Sequence, residues 1–327
     1  MLITRTPLRI SLGGGGTDLP SYYAHHGGGF LVTAAITKYV YIAVHENFVD
    51  RYLLKYSRIE DVAALDEVAH PLIREALRLT DTPARIEISS MADIPAGTGL
   101  GSSGTFAVGL LKGLHAYGHR HVANAEIAEQ ACRIEIDILG EPVGKQDQYA
   151  AAIGGLIAMA IEPDGTVTTT PLALTPAVRE EFSDHLMLFY TGVQRSASAE
   201  LRELATTTGP GTPSPSMVRN LTDVRDAGHA AAATLTAGDL DRFGQMLTEQ
   251  WRLKYDRAPS AIHDQVDDWI RAGIAAGAHG GKLVGAGGGG FLLFYAHSKP
   301  PLRAAMRDRG LREVPFTIDY LGSTVLT

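Results

Sequence analysis

The chain has 327 residues, 45% of them hydrophobic and 20% charged, with a net charge of −7. That length suits one large domain or two ordinary ones, and the composition excludes a disordered chain. An acidic balance with no dense Lys/Arg stripe argues against nucleic acid and anionic membrane as partners.

Cys132 is the only cysteine, so no intrachain disulfide can form, which fits a reducing cytoplasm. The N-terminus shows no charged region followed by an apolar one, and no apolar run approaches the roughly 18 residues of a membrane span. A soluble, cytoplasmic protein is expected.

Taken in order, Leu2 to Leu12 has strand character and enters a turn of four glycines, Gly13 to Gly16. Leu19 to His26 suits a short helix. Phe30 to Ala35, Tyr39 to His45 and Arg51 to Ser57 read as strands. Glu67 to Leu79 is helical by spacing, and Arg85 to Met91 is a strand. Helices follow over Ser103 to Tyr117 and Ala125 to Leu139, with Asn124 as N-cap of the second. Gly155 to Ile161 is a short buried strand. The Thr- and Pro-rich stretch Pro163 to Pro176 suggests a domain junction, dividing the chain into 1–175 and 176–327.

Beyond it, His185 to Tyr190 is a strand. Thr206 to Ser216 reads as a mobile loop that could serve as a lid. Helical segments cover Met217 to Thr236, Leu240 to Tyr255 and Ala261 to Ala276, and Phe291 to Ala296 is a strand. The mixture predicts an α+β protein of two domains with a cleft between them.

Two glycine-rich loops stand out. One is Ile94-Pro95-Ala96-Gly97-Thr98-Gly99-Leu100-Gly101-Ser102-Ser103-Gly104-Thr105, which runs into a helix. The other is Gly285 through Phe291, which runs into a strand. Glycine lets backbone N–H groups approach an anion closely, and a helix N-terminus favours phosphate. Both loops match G-x-G-x-x-G. The acids near the offset a dinucleotide fold requires, Glu126 and Glu129, fall in a helix, and the second loop leads into a strand, so a Rossmann site is rejected. A Walker A loop fails because Leu283 follows Gly281-Lys282. One cysteine and no H-E-x-x-H exclude a zinc-enzyme pattern, and no G-x-S-x-G elbow occurs.

Among the acids, Glu135 is flanked at helical spacing by Ala131, Cys132, Ile138 and Leu139. A carboxylate on an apolar face is a buried ion pair or a metal ligand. Asp147, in the polar segment 144–149, could orient or deprotonate an acceptor hydroxyl, and Lys145 could neutralise a transferring phosphate. Asp18 beside the glycine turn could bind substrate hydroxyls. Arg9 could hold an anion or orient an acid. His25 and His26 have no partner at metal-ligand spacing.

With these residues in place the chain resembles the GHMP superfamily of small-molecule kinases. Its three motifs match Pro7 through Asp18, Pro95 through Thr105, and Gly285 through Phe291, and they span nearly the whole chain. The resemblance implies an N-terminal domain with a left-handed βαβ crossover and a ferredoxin-like C-terminal domain. It implies ATP, held by Pro95, Gly97, Thr98, Gly99, Leu100, Gly101, Ser102, Ser103 and Gly104, and Mg²⁺ on Ser103 and Glu135. It also implies Asp147, with Lys145 and Arg9, as the catalytic set.

Within the superfamily the resemblance is strongest to kinases of heptose 7-phosphate, carried by Gly14 through Tyr23, Phe189 through Ser198 and Gly280 through Tyr295. The implied substrate residues are Gly14, Gly15, Thr17, Asp18, Lys38, Arg195, Ser196, Gly287 and Gly288. Ser198 and Lys254 join Lys38, Arg195 and Ser196 as candidates for a second phosphate site. Partners are thus a sugar phosphate and ATP, and a homodimer is left open. Alternatives are a galactose- or fucose-type kinase, or a non-catalytic sensor on the same fold. Gly104 stands where Ala is common, and Lys254 through Pro259 departs from the family's usual stretch.

Overall fold

A long antiparallel pair begins the chain and frames everything after it. In the computed structural model, which describes residues 1–193, 214–257, 262–285 and 289–327, β1 (Leu2–Gly13) pairs with β2 (Gly29–Glu46). The two β-rich runs predicted for β2 are one strand. Its register slips between the Pro7–Tyr39 and Leu8–Ile36 pairs, so Thr37 and Lys38 form a bulge rather than a turn. A short helix, α1 (Pro20–Tyr23), lies between β1 and β2.

The first sheet continues through β3 (Tyr52–Lys55), β4 (Ile59–Val62) and β5 (Ile86–Ala92), with α2 (Pro71–Leu79) leading into β5. From β1 its order runs β1-β2-β5-β3-β4. Helix α3 (Ser102–Tyr117) lies on β1 and β2, and Gly109 permits this. A Cβ there would stand 2.8 Å from Thr6 Oγ1.

Then come α4 (Asn124–Cys132), a wider π-type turn over Arg133–Ile138, and α5 (Gln146–Ile153). The predicted cap at Asn124 is corrected. Ala123 occupies that position, while the Asn124 side chain accepts from Lys112 and donates to the Ala152 carbonyl. β6 (Leu156–Ile161) pairs with the first half of β2, and β7 (Val167–Pro171) pairs with β6. The expected junction at 163–176 therefore holds an edge strand of the first sheet, where a terminal proline costs no ladder bond.

After α6 (Pro176–His185) the second sheet forms from β8 (Leu186–Tyr190), β9 (Gly280–Val284), β10 (Phe291–Tyr295) and β11 (Arg312–Glu313). Between β8 and β9 run α7 (Pro215–Ala237), α8 (Leu240–Arg257) and α9 (His263–Ala275). α10 (Lys299–Arg307) joins β10 to β11. The order β11-β8-β10-β9, all antiparallel, is that of a ferredoxin-like unit. The chain does not end there. β12 (Thr324–Val325) returns to pair with Thr4 and Arg5, so the tail belongs with the first sheet. One apolar cluster runs from Leu8, Leu31 and Leu114 through Phe243, Val284 and Phe291. The two sheets therefore share a core. No helix among the described residues is long and apolar enough to cross a membrane.

The two glycine loops meet at the junction of the sheets. Gly99 (φ +82°) and Gly285 (φ +86°) both take the left-handed conformation, and a Cβ on Gly285 would lie 2.4 Å from Gly99 Cα. A Cβ on Gly290 (φ +100°) would lie 2.0 Å from the Thr98 carbonyl oxygen. Gly285→Ala must therefore strain its own backbone and push the loops apart. Loss of about 1–3 kcal/mol is expected from the strain alone, read as a lowered denaturation midpoint with unchanged m-value.

Candidate functional site

Arg9 on β1 organises the site. Its guanidinium donates from Nε to Asp147 Oδ1 at 2.7 Å and from Nη1 to the Gly99 carbonyl at 2.6 Å, while Nη2 lies 2.6 Å from the same Asp147 oxygen. Its backbone N–H donates to the Leu100 carbonyl. Asp147 sits in the first turn of α5, where the helix dipole favours a carboxylate. A Cβ on Gly101 would be 3.1 Å from Asp147 Cγ, and one on Gly104 only 2.8 Å from Asp147 Cβ. Gly104 lies in the first turn of α3 and lets α5 approach it.

Glu135 is buried as its spacing predicted, although the helix has widened into the π-type turn and Ile138 is exposed. The Ser103 hydroxyl donates to one carboxylate oxygen and Gln148 Nε2 to the other at 2.6 Å. Burial pushes its pKa up to about 7, partly offset by those two hydrogen bonds, with nearby Asp147 adding to the rise. Sequence reasoning missed Gln148. It is fully buried, and its Oε1 has no partner among the described residues. Ser103 Oγ, the Glu135 carboxylate and this orphaned amide oxygen are a hard-oxygen set of the kind Mg²⁺ prefers. The loop residues Thr98 and Leu100 are fully buried, whereas Gly97, Gly99, Ser102 and Ser103 keep some exposure through which a phosphate could be met.

Asp18 accepts from the backbone N–H groups of Gly16 and Gln146, each at 3.0 Å. Burial raises its pKa, and the Gln146 N–H opposes the rise. Gly144 must be glycine here, since a Cβ would fall 1.9 Å from Asp18 Oδ2.

Arg9, Asp18, Asp147, Gly14 and Gly15 line one cleft of about 1000 Å³, counted out to open solvent. Lys254, Arg257 and Lys282 line it from the other sheet's side. Lys282 is buried on β9. Its ammonium donates to Gln250 Oε1 at 2.8 Å, and burial, with a contribution from Arg9, lowers its pKa to about 7. Arg257 stands beside Gly16, with Nη1 2.9 Å from where a Cβ would be, and senses Asp18 electrostatically. The amide nitrogens of Gln146 and Gln250 are buried without a partner among the described residues. Arg257 and Lys282 escaped prediction because α8 and β9 meet only in the fold.

Three expectations are corrected. Lys145 does not line the cleft. Its ammonium is committed to Glu129 at 2.7 Å and to the Gly165 carbonyl at 2.8 Å. Thr17 is fully buried, and its hydroxyl serves the Gly14 and Phe30 backbone, fixing the turn rather than facing a ligand. Lys38 stays in the β2 bulge, away from the cleft lining. Arg195, Ser196, Ser198, Gly287, Gly288 and most of the expected lid lie outside the described residues.

Residues 64–155 match the family of GHMP kinase N-terminal domains, and residues 230–310 match that of GHMP kinase C-terminal domains. A D-glycero-alpha-D-manno-heptose 7-phosphate kinase of Campylobacter jejuni is 27% identical over 304 residues, covering 89% of this chain and 88% of that one. An L-fucokinase/L-fucose-1-P guanylyltransferase of Bacteroides fragilis is 27% identical over 359 residues. This match covers 93% of this chain but only 35% of that longer enzyme. The crystal structure of a D-glycero-D-manno-heptose 1-phosphate kinase from Bacteroides thetaiotaomicron superposes with a TM-score of 0.81 at 24% identity, covering 100% and 99% of the two chains.

The raised pKa of Glu135 has a consequence for stability. The unfolded carboxyl titrates near 4.5 and the folded one near 7. The folded state therefore binds the extra proton, and stability falls as pH rises through that window. The shift corresponds to about 3 kcal/mol. Glu135→Gln should flatten the decline between pH 5 and pH 8 and stabilise the metal-free protein at pH 8. Thermal melts of both proteins across that range check this.

Proposed function

Because the chain belongs to the GHMP kinase family, with matches to both of its domains, we propose that it transfers the γ-phosphoryl group of ATP to the anomeric hydroxyl of D-glycero-D-manno-heptose 7-phosphate, yielding the 1,7-bisphosphate. The observation that carries this substrate is the charge of the cleft. Arg9, Lys254, Arg257 and Lys282 outnumber Asp18 and Asp147. The unpartnered amides of Gln146 and Gln250 are likewise donors. A neutral hexose offers this surface no anion, whereas a sugar phosphate does. The C. jejuni relative named for such a substrate supports the same reading.

In this reading Asp18 accepts hydrogen bonds from sugar hydroxyls, and Asp147 holds the acceptor hydroxyl by the carboxylate oxygen that Arg9 leaves open. As the acceptor oxygen bonds to the γ-phosphorus, the bond to the β-phosphate oxygen breaks and Asp147 takes the hydroxyl proton. The glycine loop 97–103 presents backbone N–H groups at the start of α3, where negative charge develops. Ser103 and Glu135 would hold the Mg²⁺ that screens the triphosphate. Arg257, at the Asp18 end of the cleft, takes the phosphate remote from the reacting hydroxyl. Arg9 acts through Asp147 by fixing its orientation.

Asp147→Asn should keep ATP affinity and lose turnover by about 10²–10⁴-fold. Arg257→Ala should raise KM for heptose 7-phosphate by about 10–100-fold, the value of a charge-assisted hydrogen bond, with KM for ATP unchanged. Steady-state ADP release with heptose 7-phosphate, free heptose, galactose and fucose reads both variants. Wild-type turnover confined to an unphosphorylated sugar would remove the proposed substrate. An equal KM effect of Arg257→Ala on free heptose would remove the phosphate contact.

A further inference from the structure

Residues that phosphotransfer leaves unused gather at one end of the second sheet. β10 is the central partner of β8 and β9, with Tyr295 opposite both Leu186 and Gly280. His185 precedes β8, His279 precedes β9, and His297 follows β10 by two residues. Antiparallel register therefore delivers all three histidines to the same edge. The hydrogen bonds His279 N–H to Tyr295 C=O at 2.9 Å and Ala296 N–H to His185 C=O at 3.0 Å hold that edge in line. The His297 ring centroid lies 4.7 Å from that of His185 and 4.7 Å from that of His279. The buried ring of Tyr295 supports all three imidazoles edge-on.

A carboxylate completes the group. Asp241, in the first turn of α8, places Oδ1 2.6 Å from His297 Nε2 and 3.6 Å from His279 Nδ1. The ligand-capable atoms of Asp241, His279 and His297 all lie within 4.8 Å of one another. Around a tetrahedral ion with bonds of about 2.0–2.1 Å, neighbouring donors stand about 3.3 Å apart. The observed spacings straddle that value, so small side-chain rotations suffice. Asp241 and His297 are about half exposed, which gives an ion access.

We propose that Asp241, His279 and His297 form a binding site for a divalent transition ion of the zinc class, separate from the phosphotransfer cleft. Two imidazole nitrogens and one carboxylate select zinc, nickel or cobalt over the hard ions that favour all-oxygen sets. The fourth position is left to water. An ion there clasps the start of α8 to the edges of β9 and β10. Its effect falls on the stability of the second sheet and not on phosphoryl transfer. A bare ion pair between His297 and Asp241 would need no second histidine. Glu181, His185 and His297 form a neighbouring triad that shares His297, so His279 is the residue that identifies the proposed site.

The test uses the full chain, stripped with chelator and titrated with ZnCl₂ by calorimetry and thermal melting. We expect one equivalent bound with micromolar or tighter affinity, not displaced by millimolar Mg²⁺. A rise in Tm of about 5 °C is expected at a hundredfold excess over Kd. His279→Ala, His279→Asn and His297→Ala should each abolish binding and the Tm rise. Their stripped melting points should stay near that of the stripped wild type, and Mg-ATP turnover should be unchanged in His279→Asn. His25→Ala, a surface control, should bind as wild type. Absence of saturable binding would overturn the proposal. So would zinc retained in either His279 variant, which would assign the ion to other surface ligands.

Discussion

Arg9 is the interaction on which the rest of the site depends. It is almost wholly buried, so its charge must be matched inside the protein, and three elements meet in that pairing. Asp147 comes from α5, the Gly99 carbonyl from the first glycine loop, and the guanidinium itself from β1. The cost of desolvating this cation is recovered only when all three are in place. The catalytic candidate and the phosphate-loop candidate therefore cannot shift independently of each other. The backbone bond from Arg9 N–H to the Leu100 carbonyl adds a second tie between β1 and that loop. Both donors of the ion pair converge on one oxygen of Asp147, which leaves its other oxygen to the cleft.

Around this joint the sequence gives up local stability. Glu135 and Asp18 are buried acids whose pKa values burial raises, and Lys282 is a buried amine whose pKa burial lowers. None of the three is held in a salt bridge among the described residues. A chain selected only for stability would replace such groups with apolar ones. Their clustering around Asp147, rather than scattering through the core, marks the cleft as functional. The glycines follow the same logic. Gly99, Gly285 and Gly290 adopt conformations that disfavour side chains, and the close approach they allow brings the two sheets together at the cleft's edge.

Much of this was legible in the residues. The burial of Glu135 followed from apolar neighbours at helical spacing, and the glycine loops announced backbone devices. What escaped were relations made only in three dimensions. Lys145 is two residues from Asp147, but residues two apart on a helical path point in different directions, and it turns to Glu129 instead. Gln148 was overlooked because the helix carrying Glu135 widens, which opens a slot for an amide from α5. Arg257 and Lys282 lie 25 positions apart and no local pattern links them. β12 is too short for periodicity to reveal, and only pairing with β1 defines it. Thr17 misled because a hydroxyl beside a glycine turn suits a ligand and a turn equally well, and burial decides between them.

In the proposed reading, the charge distribution would set selectivity. The chain as a whole is acidic, at −7, yet the cleft concentrates cations. Without a ligand, Lys282 is disfavoured as an ammonium by burial and by Arg9, and Arg257 is likewise desolvated. A phosphate dianion would relieve both at once, restoring the charged form of Lys282 and giving Arg257 a partner. In the proposed reading, part of the binding free energy of such a substrate would come from relieving the desolvation of these two cations. A neutral sugar of the same shape would meet the same hydroxyl contacts at Asp18 but leave the cations unrelieved and the donors of Gln146 and Gln250 unpaired. Discrimination of this kind works by penalising the wrong substrate. It needs no steric block, which suits a cleft that is open to solvent.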